Sequence, residues 1–196
     1  VQKLLARQFI AGEKVQTAVN AYLINAGGKL ILVDAGAAKA FGPTLGFIGE
    51  QLRAAGYSPD KVDVVLLTHL HADHCLGLPG LLMLRAQMDA PEPLTILGPP
   101  GLAAFLGAIR ETLAFFLNYP LELVEWSDTA DSLAYQDDRV RILWHPLKHT
   151  RFCLGYRLEE TERPGKFNSE SALRLGIPKG PLWGKLQQRQ VIALAD

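Results

Sequence analysis

Residues 62–74 read VDVVLLTHLHADH, an apolar run that leads directly into a cluster of three histidines. The run at 62–67 is rich in valine and leucine, which is typical of a buried β-strand. His69 and His71 lie two residues apart at its end, and an extended backbone directs both side chains the same way. This spacing predicts that two imidazoles share one metal ion.

Asp73 and His74 follow at the point where the chain is expected to turn into a helix, which redirects their side chains toward a second nearby ion. Nitrogen and oxygen ligands of this kind suit zinc, although iron and manganese also accept them. A single histidine is more often a packed or surface residue than a ligand. Here three of the five histidines lie within six residues and beside an aspartate, which favours a site for one or two metal ions.

The length of 196 residues predicts a single domain spanning 1–196, because two domains would each bury too little surface. Apolar residues make up 48% of the chain and charged residues 20%, which excludes a disordered or fibrous protein. Cys75 and Cys153 are the only cysteines, so we expect them to pack in the interior or near the site rather than to form a disulfide framework.

Twenty basic residues balance twenty acidic residues, so overall charge favours neither nucleic acid nor an anionic membrane. Local basic patches are still present in 139–151 and 157–189. No apolar stretch is long enough to cross a bilayer, and the N-terminal residues do not resemble a signal peptide. The sequence therefore predicts a soluble, cytoplasmic protein without a membrane partner.

Hydrophobic periodicity predicts mixed helices and strands. A turn at Asp137 and Asp138 is expected to join strands 121–126 and 139–144, and the helix after the histidines is expected to be irregular at Gly80. Residues 159–189 are rich in glycine and proline, which predicts a projecting arm or long loop without regular structure. The remaining predicted elements are strands at 21–24, 30–33, 94–97 and 152–158 and helices at 43–56 and 101–116.

The pattern H-x-H-x-D-H after an apolar strand resembles the metallo-β-lactamase superfamily. This resemblance implies an α/β fold, a four-layer αβ/βα sandwich with metals at the edge of its sheets. It also implies that His69 and His71 hold a first metal and that Asp73 and His74 hold a second. Asp34 would be a buried supporting carboxylate, although it can equally be a simple turn residue that ends a strand.

Two later histidines, His145 and His149, compete to supply another ligand. The segment around them, followed by Gly155-Tyr156-Arg157, is similar to ribonuclease Z, the endonuclease family that trims the 3′ end of precursor tRNA. In that family the histidine a few residues before Gly-Tyr-Arg is the ligand. The resemblance therefore selects His149 and leaves His145 with a packing role.

The resemblance to ribonuclease Z extends over much of the second half of the chain. In the family, segments similar to 163–167 and 176–186 belong to an arm that grips tRNA away from the cleavage site. This implies that Lys179 and Lys185 contact RNA phosphates. The first 75 residues resemble lactone and organophosphate hydrolases of the same superfamily instead, as in a natural or constructed mosaic.

Ribonuclease Z relatives supply a bridging aspartate and a final histidine from strands after the arm, whereas this sequence ends at Asp196. Residues 191–196 fit either a strand that ends in that aspartate, with Asp196 as a ligand, or an arm segment cut short, and we favour the second. In that case a partner chain, as in a homodimer, or further residues complete the site. The alternative is a weakly active or inactive chain whose fold is incomplete at its C-terminal end.

The histidine cluster predicts a metal-dependent hydrolase, and the resemblance to ribonuclease Z implies a zinc-dependent phosphodiesterase that cleaves precursor tRNA through a metal-activated hydroxide. Asp73 is the expected catalytic residue, because its carboxylate can orient the nucleophile and accept a proton. The alternative is a hydrolase of small substrates, such as lactones, β-lactams, esters or phosphotriesters. That alternative is favoured by the first half of the chain and by the zero net charge.

Overall fold

The protein is described by a computed structural model that covers residues 7, 18–89, 91–126, 132–161 and 165–193. The chain divides into two compact units, Val1–Glu159 and Glu160–Asp196. Among the described residues, no helix is both long enough and apolar enough to span a membrane.

The first unit contains a five-stranded sheet in the order β1-β2-β3-β4-β5. β1 runs antiparallel to β2, and the other neighbouring strands run parallel. The strands are β1 (Tyr22–Asn25), β2 (Leu30–Val33), β3 (Val64–Leu66), β4 (Leu94–Gly98) and β5 (Leu121–Glu125). The helices of this unit are α1 (Ile48–Ala54), α2 (Ala72–Cys75), α3 (Gly77–Arg85) and α4 (Leu102–Leu113), with a 3-10 turn at Pro59–Lys61.

Both faces of this sheet are buried, as the continuous apolar runs predict. Along β3, Val65 packs with the helices while Val64 and Leu66 pack on the opposite face against the second sheet. The helix side of the core includes Leu52, Leu78, Leu81, Leu82, Leu102 and Leu106. The strands that carry the histidine segment are therefore held from both sides.

The second sheet has the order β6-β7-β8, with β6 (Ser132–Gln136), β7 (Val140–Leu147) and β8 (Cys153–Glu160). The sequence did not predict β6. The turn at Asp137 therefore joins β6 to β7, and not β5 to β7 as expected. The side chain of Asp137 closes this hairpin, because its Oδ1 accepts hydrogen bonds from the backbone N–H groups of Arg139 and Val140.

The α/β class and the packing of helices and sheets in layers are confirmed, but one helix differs from its prediction. The irregularity expected at Gly80 lies at Leu76, where the single turn of α2 ends and α3 begins. Gly80 lies within α3. The break is explained by the close packing of Gly77, which is described with the site below.

Arg85 is a buried charged residue for which the sequence had no signal. It is 0% exposed, and its guanidinium donates to the carbonyl oxygens of Pro59, Val62 and Glu92 at 2.6–2.9 Å. It also lies over the ring of Tyr119, and burial lowers its pKa. These bonds fix the backbone that leads into β3, and thus the strand that ends at the histidines.

The second unit contains α5 (Ser169–Arg174) and α6 (Pro181–Gln187), so the expectation of a segment without regular structure is wrong. Asn168 caps α5 by accepting a hydrogen bond from the backbone N–H of Ser171. Pro181 stands at the start of α6, where a missing N–H costs nothing. Glycine and proline therefore mark the ends of these helices. Whether this unit projects as an arm stays a prediction.

Candidate metal centre

Three histidines from two parts of the first unit meet beyond the carboxyl end of β3. His69 and His71 follow β3 directly, and His149 follows β7. Each offers one nitrogen, and these three nitrogens all lie within 4.8 Å of one another. Among the histidine, cysteine, aspartate and glutamate side chains of the described residues, this is the one group of three or more that could hold a metal ion.

The spacing of the His71 and His149 nitrogens fits two ligands of one zinc ion. The Nε2 atom of His149 lies 3.2 Å from the Nδ1 atom of His71. A tetrahedral zinc about 2.0–2.1 Å from each nitrogen places neighbouring ligands roughly 3.3 Å apart. The ring of His69 lies 4.7 Å from the rings of both His71 and His149, measured between centroids. The residues present therefore fit the metal that the sequence predicts.

Asp73 and His74 are brought beside this group by the single turn of α2. The ring centroid of His74 is 4.2 Å from that of His69. Its Nδ1 bonds to Oδ2 of Asp34 at 2.7 Å, while its Nε2 lies 3.5 Å from Oδ2 of Asp73. The free nitrogen and the carboxylate therefore converge on one point, as ligands of a second ion would.

Asp34 combines the two interpretations that the sequence left open. It ends β2 in a left-handed conformation with φ of 59°, and it is only 4% exposed. Its Oδ1 accepts a hydrogen bond from the backbone N–H of Thr68 at 2.8 Å, and the Thr68 hydroxyl lies 2.9–3.0 Å from both carboxylate oxygens. Asp34 is thus a turn residue and also a buried carboxylate that contacts His74.

Burial keeps His69 neutral. Loss of water around the ring, followed by the nearby His74, His71 and His149, lowers the pKa of His69 from 6.5 to about 4. A neutral imidazole is the form that binds a metal. Burial also raises the pKa of the thiols of Cys75 and Cys153, which agrees with their expected packing role near the site.

Gly77 permits the close packing that holds this site together, and the sequence pattern did not predict it. A Cβ atom at Gly77 would lie 1.8 Å from the carbonyl oxygen of Ala35, so only glycine fits there. The backbone N–H of Gly77 donates to Gly36, and that of Ala35 donates to His74. The loop that carries Asp34 is thereby fastened to α2 and α3. The motif around Gly77 contains no signal for this contact.

Other predicted residues have different surroundings. His145 is exposed on β7, because Val140, Ile142 and Trp144 take the inward positions of that strand, so its expected packing role is wrong. Lys179 and Lys185 are exposed in the second unit. Asp196, the proposed additional ligand, lies outside the described residues.

An apolar cavity of about 550 Å³ lies between the two sheets, next to the histidines. Its polar lining includes Asp34, Thr68, His69 and His74. The apolar lining includes Ile24, Val33, Leu66, Ile142, Leu154 and Leu158. This volume is in the range of pockets that bind small molecules.

The family model described as the metallo-beta-lactamase superfamily matches residues 15–156, and the chain belongs to this superfamily. Its fold class is therefore the one predicted from the sequence. A ribonuclease Z of Treponema denticola is 43% identical over 136 residues, which cover 69% of this chain and 44% of the relative. The predicted resemblance to ribonuclease Z is confirmed.

Further comparisons agree with this placement. A ribonuclease BN of Escherichia coli O6:K15:H31 is 36% identical over 146 residues, covering 74% of this chain and 47% of the relative. The chain thus spans about half the length of the curated relatives it matches. The crystal structure of human tRNase Z, short form, shares the fold with a TM-score of 0.58 at 24% identity, covering 72% of this chain and 57% of the other.

Proposed function

We propose that this chain carries the metal centre of a zinc-dependent, ribonuclease Z-like phosphodiesterase that cleaves precursor tRNA at its 3′ end. The convergence of His69, His71 and His149 is the observation that carries this proposal. It occurs in a chain that is 43% identical to a ribonuclease Z over 136 residues. A metal site in a relative of ribonuclease Z supports hydrolysis of a phosphodiester bond as the reaction.

The proposed reaction assigns a separate role to each of these side chains. His69, His71 and His149 would hold the first ion, and Asp73 and His74 would hold a second. The metal would supply Lewis acidity, which lowers the pKa of water and neutralises charge on the phosphate. Asp73 orients the attacking water and accepts its proton, because its side chain is 40% exposed and reaches the site from α2. Three imidazole ligands suit zinc better than they suit the hard ions that prefer oxygen ligands.

A cleavage assay tests this proposal directly. The chain, purified and loaded with Zn²⁺, is incubated with a precursor tRNA that carries a 3′ trailer, and with p-nitrophenyl acetate and a lactone in parallel. We expect release of the trailer, and no release by a His71→Ala variant. Turnover of the small substrates alone would favour the alternative function. Failure with every substrate would favour a weakly active or inactive chain.

Lys179 and Lys185 support the proposed RNA substrate, because both ammonium groups are exposed and available for phosphate contacts. We expect the pair Lys179→Glu and Lys185→Glu to weaken tRNA binding. The log-log dependence of affinity on salt should become shallower by roughly 0.7–0.9 per lost contact. Binding measured by fluorescence anisotropy at several salt concentrations gives this slope.

The matched control for the lysine pair is Lys29→Glu with Lys61→Glu. These lysines precede β2 and β3, at the end of the sheet opposite to the histidines, where Lys29 pairs with the half-buried Asp63 and Lys61 pairs with the buried Asp60. The control changes the charge by the same amount, so it reports the effect of net charge alone. Equal losses of affinity in both pairs would contradict a specific role for Lys179 and Lys185.

A small-molecule hydrolase is the second candidate, and the cavity of about 550 Å³ beside His69 and His74 favours it. Its apolar lining suits the acyl or ring portion of an ester, lactone, β-lactam or phosphotriester. An Ile142→Trp substitution would fill part of this cavity. If the chain works on small substrates, this variant raises their KM, whereas cleavage of precursor tRNA should change little.

We further propose a cytoplasmic location, where precursor tRNA is processed, and a homodimer whose partner chain complements the site. Sedimentation equilibrium measures the second of these. Asp196 stays a candidate ligand, and an Asp196→Asn variant with unchanged zinc stoichiometry would remove it from the ligand set.

A further inference from the structure

We infer that Thr68 is a positioning residue that fixes His69 for metal binding, and that it links both proposed ions to the single carboxylate of Asp34. This inference rests on the metal centre proposed above. The hydroxyl of Thr68 lies 2.9 Å from Nδ1 of His69 and 2.9–3.0 Å from the oxygens of Asp34. It therefore stands between a ligand and the buried carboxylate.

The direction of these hydrogen bonds follows from the number of protons available. A threonine hydroxyl has one hydrogen to donate, and an ionised carboxylate can only accept. The hydroxyl of Thr68 must therefore donate to Asp34, which leaves its oxygen to accept. The neighbouring Nδ1 of His69 then carries a hydrogen and donates it to Thr68. This assignment leaves the Nε2 atom of His69 unprotonated and able to bind a metal.

The same carboxylate fixes His74. Nδ1 of His74 donates to Oδ2 of Asp34 at 2.7 Å, so in the neutral imidazole Nε2 keeps a free electron pair. Asp34 thus acts on the second position directly and on the first position through Thr68. Metal-binding histidines commonly donate their other ring nitrogen to such a partner, which fixes the tautomer and the orientation of the ring.

Other contacts of the His69 ring are weaker. The sulfur of Cys153 lies 3.9 Å from Nδ1 of His69, a full ångström farther than the hydroxyl of Thr68. His69 is only 6% exposed, so most of its surface lies in the protein interior. Loss of the hydroxyl would leave a buried N–H without its acceptor and would free the ring to turn.

The test compares Co²⁺ binding by the wild type, Thr68→Val and Thr68→Ser. Valine has nearly the shape of threonine but lacks the hydroxyl, whereas serine retains it. We expect Thr68→Val to weaken Co²⁺ binding about 10–100-fold, the usual effect of removing such a partner, and to change the visible absorption of the bound ion. Thr68→Ser should restore both properties.

A Thr95→Val variant is the matched control, because Thr95 lies on β4 and its hydroxyl bonds only to Glu122 among the described side chains. Wild-type affinity and spectrum in Thr68→Val, or equal losses in Thr68→Ser and Thr68→Val, would overturn the role of the hydroxyl. Absence of Co²⁺ binding by the wild type would instead overturn the proposed metal centre, and with it this inference.

A second measurement does not depend on whether the Thr68 variants fold, because it uses the wild-type protein. Nitrogen-15 NMR of the metal-free wild type reports which ring nitrogen of His69 carries the hydrogen, with the signal assigned by its loss in His69→Gln. We expect the hydrogen on Nδ1. Its presence on Nε2 would contradict the proposed hydrogen-bond direction, whatever the affinities of the variants.

Discussion

The three-histidine group and the Asp73–His74 pair lie side by side, but the chain builds them differently. His71 and His149 are 78 positions apart, so the first group forms only when the strand before His149 packs beside the strand before His71. Asp73 and His74 are neighbours on α2, and the long-range contact of His74 is with Asp34, 40 positions earlier. The first group thus depends on the two sheets, and the pair depends on one buried carboxylate.

Because the two groups are built differently, each substitution should damage a different part of the site. The histidine group by itself brings three nitrogens within 4.8 Å of one another. The pair provides one nitrogen and one carboxylate among the described residues. We therefore expect the histidine group to bind metal more tightly, and the following variants are ordered by their effect on the metal that this group holds.

His71→Ala should have the largest effect, because it removes one of the three converging nitrogens. We expect the affinity of this group for Zn²⁺ to fall more than about 100-fold, beyond the usual effect of an outer partner. Metal analysis after dialysis against a weak chelator measures this loss. An unchanged metal-to-protein ratio would remove His71 from the ligand set.

His149→Ala and His145→Ala form a matched pair that tests the contact between the two sheets. The first should lower zinc affinity nearly as much as His71→Ala, since it removes the ligand supplied from beyond β7. The second should leave zinc affinity within about twofold, because His145 is exposed on β7 and is not in the converging group. Isothermal titration of both variants decides between the two histidines, and the reverse order of effects would contradict the structure.

Asp34→Asn should have an intermediate effect, because it acts on the ligands through their partners. The asparagine amide retains one acceptor oxygen, but its NH₂ group faces hydrogen-bond donors of Thr68 or His74 and cannot accept from them. We expect zinc affinity to fall about 10–100-fold and stability to fall by about 1–3 kcal/mol. Chemical denaturation of the metal-free protein gives the second value. An Asp63→Asn variant, at the opposite end of β3, controls for loss of a carboxylate that also accepts a backbone N–H.

Asp73→Asn should have the smallest effect on metal in the histidine group, and it should leave the melting temperature nearly unchanged. Its side chain is partly exposed, and its proposed role lies in the reaction rather than in the core. We expect hydrolysis to fall about 10²–10⁴-fold, as is usual for loss of a general base. Turnover and thermal melting are measured on the same preparation. Equal activity in the variant and the parent would reject the catalytic role of Asp73.

The sequence by itself determined the parts of this protein that depend on neighbouring residues. The apolar run at 62–67 predicted β3, and the two-residue spacing of His69 and His71 predicted side chains that reach one point. Both features follow from the geometry of an extended chain, which repeats every two residues. The strand at 30–33 has the predicted bounds, whereas most other boundaries shifted by one to five residues, because the ends of strands and helices depend on tertiary hydrogen bonds.

The elements that the sequence did not predict depend on contacts between distant residues. Strand β6 has a register shift between Leu133 and Tyr135, which breaks the alternation by which a strand is recognised. The second unit was expected to lack regular structure because proline and glycine were counted as breakers. Pro181 instead begins a helix. Composition alone does not distinguish a residue that ends a helix from one that starts it.

Tertiary structure alone decided how the site is supported. The sequence pattern by itself identified His69, His71, Asp73 and His74 as candidate ligands. The choice of His149 over His145 rested on the resemblance to ribonuclease Z. Only the packing of the two sheets shows that His149 lies beside His71. Thr68 and Gly77 were not predicted, because their importance lies in a hydroxyl 2.9 Å from His69 and in an approach to Ala35 that leaves no room for a Cβ atom. Ligand types can be recognised in sequence because metals select them, whereas their orientation depends on hydrogen bonds that form only when distant segments fold together.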